Sequence, residues 1–234
     1  MVRYTATEVN DVLAGRWRRL WLVKSGRTMP EDLSGNFRVQ LGRWTESFNL
    51  GWLGASREVV CAPLVPDLVP LPEDTEVRVH PQGGPYAVRG RYSARPDALG
   101  RDEAGLFVVE AKHVADREAP EQVVRLYLGQ LFVTMHVLGA RRAVLSVIYG
   151  TDRLTAYGVS WSDETWRAIE GWIETFDGHL LLDVEPCDPL EPPWLELPLP
   201  AMTNRWRPKK ATSAKASRSR PGAGVEEKPP CSTA

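Results

Sequence analysis

The chain has 234 residues, with 29 Lys and Arg against 30 Asp and Glu and a formal net charge of −1. That length suits one domain with its own core, and the even balance excludes a chain that holds a polyanion by bulk positive charge. Cys61, Cys187 and Cys231 are too few and too scattered for a disulfide framework, a zinc box or a four-thiolate iron–sulfur site. Charges interrupt residues 1–27, and no apolar run approaches the ~18 residues of a membrane span. The expectation is a cytoplasmic protein, without signal peptide or transmembrane helix.

Thr5 and Glu8 form a capping-box pattern, and Val9, Val12, Leu13, Trp17, Leu20 and Trp21 recur after it at helical spacing. Arg16, Arg18 and Arg19 lie off that stripe, as a solvated face or as an edge that contacts phosphates. Residues 36–53 predict a second helix whose apolar stripe is Leu41, Trp44, Phe48 and Trp52. Glu46 lies off this stripe, on the side of Gly42 and Asn49, where a glutamate is ordinarily solvated. Residues 57–62 and 76–80 suit strands, with a Pro-rich connection over 63–72. His80 then opens a Gly/Pro loop, where a lone histidine is ordinarily solvated.

Residues 91–113 read RYSARPDALGRDEAGLFVVEAKH. One extended run ends at Pro96 and Asp97, a turn-forming loop covers 100–105, and a second run occupies 106–112. Alternation puts Leu106, Val108, Glu110 and Lys112 on one face and Phe107, Val109 and Ala111 on the other. A strand apolar on both faces is a buried one, so the acid and the amine at its end need a reason. A divalent cation supplies one: Mg²⁺ uses one or two carboxylates, with water and substrate phosphate in its other positions. Asp97 and Glu110 can provide the carboxylates, and Lys112 can reach the water or a phosphate oxygen. The same spacing also describes a surface hairpin with solvated ends, and spacing alone favours that plainer reading.

Pro120 in a first turn and Gly139 as a cap bound a helix over 120–138. Its wide apolar face makes it largely buried, so Gln130 requires a hydrogen-bond partner. Residues 143–149 suit a central strand and 154–159 its hairpin partner. Residues 162–176 form a helix capped by Ser162 with Trp166, Ile169, Trp172, Ile173 and Phe176 as its stripe, and the Pro-rich 186–200 is extended. From Arg205 onward there are eight Lys and Arg and two Asp and Glu, leaving 21 basic and 28 acidic residues before it. The expected division is a domain over 1–200 and a basic, disordered tail over 201–234, either passive or adding non-specific phosphate affinity.

Pro96-Asp97 followed by Glu110-Ala111-Lys112 resembles the PD-(D/E)xK motif of the restriction-endonuclease-like superfamily. Residues 35–49, GNFRVQLGRWTESFN, resemble the acidic helix of phage-type recombination exonucleases, and Gln130–Val137 with the following GARRAV resembles their buried helix and next strand. Together these resemble the YqaJ-like, phage lambda exonuclease-type recombination nucleases, from about Trp17 to Ile148. Ser47, Leu50, Phe132 and Thr134 depart from that pattern.

The resemblance implies an α/β, restriction-endonuclease-like core with a mixed central β-sheet flanked by helices. It implies a Mg²⁺-dependent deoxyribonuclease, with Mn²⁺ as a substitute ion, acting as an exonuclease on double-stranded DNA ends. Asp97, Glu110 and the Ala111 carbonyl would hold the metal, Lys112 would act on water and phosphate, and Glu46 and Gln130 would support the site. An endonuclease on the same core and a non-catalytic DNA-binding recombination protein are the competing readings. A homo-oligomer, trimeric by analogy, and a single-strand annealing partner are implied by the group alone.

Overall fold

The computed structural model describes residues 2–57, 60–64, 70–80, 83–116, 119–204 and 206. In chain order it contains β1 (Tyr4–Thr5), α1 (Ala6–Leu13), α2 (Trp17–Lys24), α3 (Phe37–Arg57), β2 (Cys61–Ala62), β3 (Thr75–Val79), β4 (Pro85–Arg89) and β5 (Tyr92–Ala94). There follow β6 (Ala98–Asp102), β7 (Gly105–Val114), α4 (Pro120–Leu138), β8 (Arg142–Tyr149), β9 (Arg153–Ser160), α5 (Asp163–Leu181), a 3₁₀ turn (Pro193–Leu195) and β10 (Met202–Asn204). Among the described residues no helix is long and apolar enough to cross a membrane.

The larger sheet has the order β10-β9-β8-β7-β6-β2, with β7 and β8 parallel and its other pairs antiparallel. Because β7 alternates, Phe107 and Val109 pack on one face with Val144, beneath Leu53 of α3, whereas Val108 joins the core formed with α4 and α1. Helices therefore cover both faces of a mixed sheet, which is the predicted α/β architecture. The second sheet, β1-β5-β4-β3, was not expected.

Several local predictions hold for the reasons that suggested them. Thr5 and Glu8 form the reciprocal capping box of α1. Pro120 opens α4, and Gly139 ends it at φ 66°, a conformation that suits a residue without Cβ. Ser162 caps α5, which buries Trp166, Ile169, Ile173 and Phe176. The single N-terminal helix is in fact two, because the chain turns at Gly15 with φ 72°. The predicted loop over 100–105 is mostly strand: β6 runs to Asp102, and only Glu103 and Ala104 make the turn.

The largest departure concerns α3. Its predicted stripe faces outward, with Trp44 79%, Phe48 60% and Trp52 56% exposed, while Asn49 and Leu53 are the residues it buries. Beyond position 200, β10 pairs with β9, and Trp206 packs its ring on Phe107 at 5.1 Å. The predicted tail from 207 onward, with Cys231, lies outside the described residues.

His136, on α4, stacks on Trp166 at 4.6 Å and 14° and meets Tyr92 edge-on. Burial, helped by the Arg89 charge, pushes its imidazole down from 6.5 to about 4. The unfolded chain then binds the extra proton first, so this contribution to stability is complete above about pH 6.5 and is lost as pH falls toward 4. With the ring part-exposed, a loss of about 2 kcal/mol across that window is expected. Urea melts at pH 7 and pH 4.5 should show a smaller pH effect in His136→Phe than in the parent; equal effects would remove His136 as the cause.

Candidate active site

Asp97 sits just before β6, and continuation of the β6–β7 register places it across from Glu110. Its Oδ2 accepts the Ala111 backbone N–H at 2.8 Å, at the point where the β6 ladder has ended. The Asp97 carboxylate lies close enough for its charge to raise the Glu110 pKa. Lys112 Nζ donates to Glu110 Oε1 at 2.6 Å, and Gln130 Nε2, from α4, donates to the same oxygen. Glu110 is 2% exposed. The Lys112 ammonium also lies 5.2 Å from the centre of the Tyr127 ring.

Glu46 approaches the cluster from α3. It is half-buried, and its pKa is raised first by burial and then by the Asp97 charge, against the pull of Lys112, Arg95 and Arg43. The structure thus brings together Asp97, Glu110, Ala111, Lys112, Glu46 and Gln130. His80 instead stacks edge-on against Tyr86, and Arg16, Arg18 and Arg19 are paired with Asp11, Glu185 and Glu31. Those three arginines form the solvated, ion-paired face rather than a row of open cations. His113 faces the opposite side of β7 from Lys112, where Nδ1 meets the Thr45 hydroxyl and Nε2 the Gly150 carbonyl.

The electrostatics follow from gathering three acids, Glu110 fully buried and Asp97 and Glu46 partly so, around one amine. Burial pushes Glu110 up to about 8; Lys112 opposes the rise and Asp97 adds to it. Burial alone would lower Lys112, yet the Glu110 and Asp97 charges outweigh it and hold the amine protonated. Glu110 is the position where either a proton or a cation relieves the excess negative charge. Among the described residues no three His, Cys, Asp or Glu side chains gather as a ready cage for an ion. A cation here would take two carboxylates and complete its shell from backbone, water and substrate, as Mg²⁺ does. The donor set fits that ion.

Two positioning residues were missed in the sequence. Asn49, 1% exposed, donates to the Lys112 carbonyl at 3.2 Å and to the Ser146 carbonyl at 3.0 Å, and accepts from the Ser146 hydroxyl at 2.6 Å. It ties the Glu46 helix to β7 and β8. The available signal was its place on the Glu46 side of α3, among few apolar residues. Asn10 accepts the Gln130 backbone N–H at 2.7 Å, and a Cβ on Gly129 would come within 2.8 Å of its Oδ1, so the glycine lets α1 approach α4. An Asn inside the α1 apolar stripe was the signal there. Phe132 stacks on Trp161, and the Thr134 hydroxyl bonds the Gln130 carbonyl, so the site's side-chain network along α4 ends at Gln130.

Asn49→Ala is expected to cost about 2–4 kcal/mol, since it opens a cavity and leaves buried polar groups unpaired. A denaturant melt checks this; a loss below about 0.5 kcal/mol would mean that the three bonds are idle.

No family model matches the chain, and no curated protein matches it in sequence. Solved structures do match in fold. An alkaline exonuclease from Laribacter hongkongensis aligns with a TM-score of 0.51 at 15% identity, covering 78% of this chain and 90% of that one. The same exonuclease in complex with dAMP gives 0.51 at 16% identity over the same shares. The chain therefore shares its fold with an alkaline exonuclease, the kind of protein that its sequence motifs resemble.

Proposed function

We propose that this chain is a Mg²⁺-dependent deoxyribonuclease that hydrolyses phosphodiesters from the ends of duplex DNA, as phage-type recombination exonucleases do, with Mn²⁺ able to substitute. The reading is carried by one observation: Asp97, Glu110 and Lys112 converge at a single buried point beside Glu46 and Gln130. The fold supports it, and so does the deoxynucleoside monophosphate in the related structure, since such a unit is what an exonuclease releases from a strand.

Asp97, Glu110 and the Ala111 carbonyl would hold the cation, which supplies Lewis-acid activation of water and phosphate when bound. The remaining chemistry belongs to the chain. Lys112 is kept protonated by its acidic neighbours, so it acts by donating to a phosphate oxygen and orienting the attacking water rather than by removing a proton. Water adds to phosphorus and gives up a proton, the bond to the leaving oxygen breaks, and that oxygen takes up a proton in its place. Gln130 fixes the Glu110 carboxylate from α4, and Asp97 is fixed by the Ala111 N–H. Glu46 adds a third acid, its pKa raised by burial and by the Asp97 charge, placed to hold or pass a proton. Further copies of the chain and a single-strand annealing protein are the partners such a recombination role calls for.

The test is linear against covalently closed circular duplex DNA, with Mg²⁺ and with EDTA. Loss of the linear form alone, only with Mg²⁺, is expected. Nicking of the circle would make the protein an endonuclease, and retention of uncut DNA would make it a binding protein.

A further inference from the structure

His113 follows Lys112 in β7, so its ring leaves the strand on the face opposite the ammonium, toward α3. Both ring nitrogens are engaged there. Nε2 lies 2.8 Å from the Gly150 carbonyl, in the turn between β8 and β9. That turn is held to β7 in its own right, since the Gly150 N–H donates to the Val114 carbonyl at 2.9 Å. A carbonyl only accepts, so Nε2 carries the proton of the neutral ring and Nδ1 is left as an acceptor. Nδ1 faces the Thr45 hydroxyl at 3.2 Å. The same hydroxyl lies 2.8 Å from the Leu41 carbonyl, the usual partner of a threonine inside a helix. His113 gives its one proton a second acceptor, on the sheet.

We propose that His113 is a positioning residue for Glu46: by holding Thr45 to the sheet it fixes where the third acid of the site stands. The effect on cleavage rests on the nuclease reading; the clasp itself does not. Ahead of Asn49 no residue of α3 is buried, so no core side chain steadies the turn that carries Glu46. Thr45 and Asn49 stand one turn apart, on the same side of the helix. They grip consecutive residues of β7, Asn49 through the Lys112 carbonyl and Thr45 through the His113 ring. Glu46 lies between them in the chain, half-buried and within reach of the Asp97 and Lys112 charges. With only the Asn49 grip the helix can turn about that point, and a carboxylate misplaced by about 1 Å can cost ~100-fold in rate. A packing role would need the bulk of the ring at position 113 but neither of its nitrogens, and that difference separates the two roles.

The test compares His113→Asn with His113→Gln, each of which keeps one of the two bonds. The Asn amide oxygen stands near the Nδ1 position and can accept from Thr45. The Gln amide nitrogen reaches the Nε2 position and can donate to Gly150. Each variant loses one neutral hydrogen bond, so their thermal melts should agree. His113→Asn should cleave linear duplex within about threefold of the parent. His113→Gln should lose roughly 10–100-fold in kcat, with KM and duplex affinity in EDTA kept. In a Glu46→Gln background the His113→Gln exchange should cost nothing further, because both changes act through one carboxylate. Hydrogen exchange of the 45–49 amides, measured without DNA or metal, should be faster in His113→Gln than in His113→Asn. Equal cleavage by the two variants, or a His113→Gln loss that persists in the Glu46→Gln background, overturns the proposal. A parent that leaves linear duplex uncut refutes the nuclease reading instead; the exchange rates then decide, and equal rates overturn the clasp.

Discussion

Lys112→Ala is expected to lower Mg²⁺-dependent cleavage of linear duplex DNA by roughly 10²–10³-fold, the usual cost of removing one charge-stabilising donor from a water-poor site. The fold should survive. Deleting one member of a buried ion pair is ordinarily severe because the other charge stays behind. Here burial already pushes Glu110 up to about 8, and the Asp97 charge adds to the rise. With the ammonium gone its pull on the carboxyl is lost, so Glu110 stays protonated and no unpaired buried charge is left at that position. Parallel measurements separate the effects: cleavage of an end-labelled duplex, duplex affinity in EDTA, and a thermal melt. Activity lost with affinity and melt nearly kept is the expected pattern. Cleavage within about threefold of the parent would remove Lys112 from the chemistry.

The site was legible because its chemistry is compressed into few residues. Glu110 and Lys112 share a face of an otherwise apolar strand, and that pattern survives any error in the neighbouring turn. The turn was misplaced, since Gly100 reads as a loop residue although it lies in β6. It is needed there because a Cβ would meet the Phe107 ring at 2.3 Å. The ends of α4 were equally legible, since Pro120 and Gly139 act locally. The face of α3 was not. Periodicity finds the apolar side of a helix but does not say whether protein core or another surface lies against it. α3 buries Asn49 because two carbonyls and a hydroxyl await it, and those partners lie 63 to 97 residues away in sequence. The second sheet was missed for a related reason. β3 alternates weakly, with Glu76 and Arg78 paired to each other, and the strands after it are short and bounded by glycines.

Glu110→Gln separates the cation's role from the fold's. The side chains match in shape, so the introduced amide oxygen can still accept from Lys112 and Gln130. What disappears is a titratable carboxyl whose charged form is opposed first by burial and then by the Asp97 charge. Without metal the variant should therefore melt no lower than the parent. With metal the order reverses. The parent gains RT ln(1 + [Mg²⁺]/Kd), about 1.4 kcal/mol at ten times Kd and a few degrees in Tm. The variant should gain almost nothing, because the charge that draws the ion has been halved, and cleavage should fall by at least ~10³-fold. Equal Mg²⁺-induced shifts in the two proteins would place the ion elsewhere. Asp97 and Glu110 would then be structural acids, held by the Ala111 N–H and by Lys112.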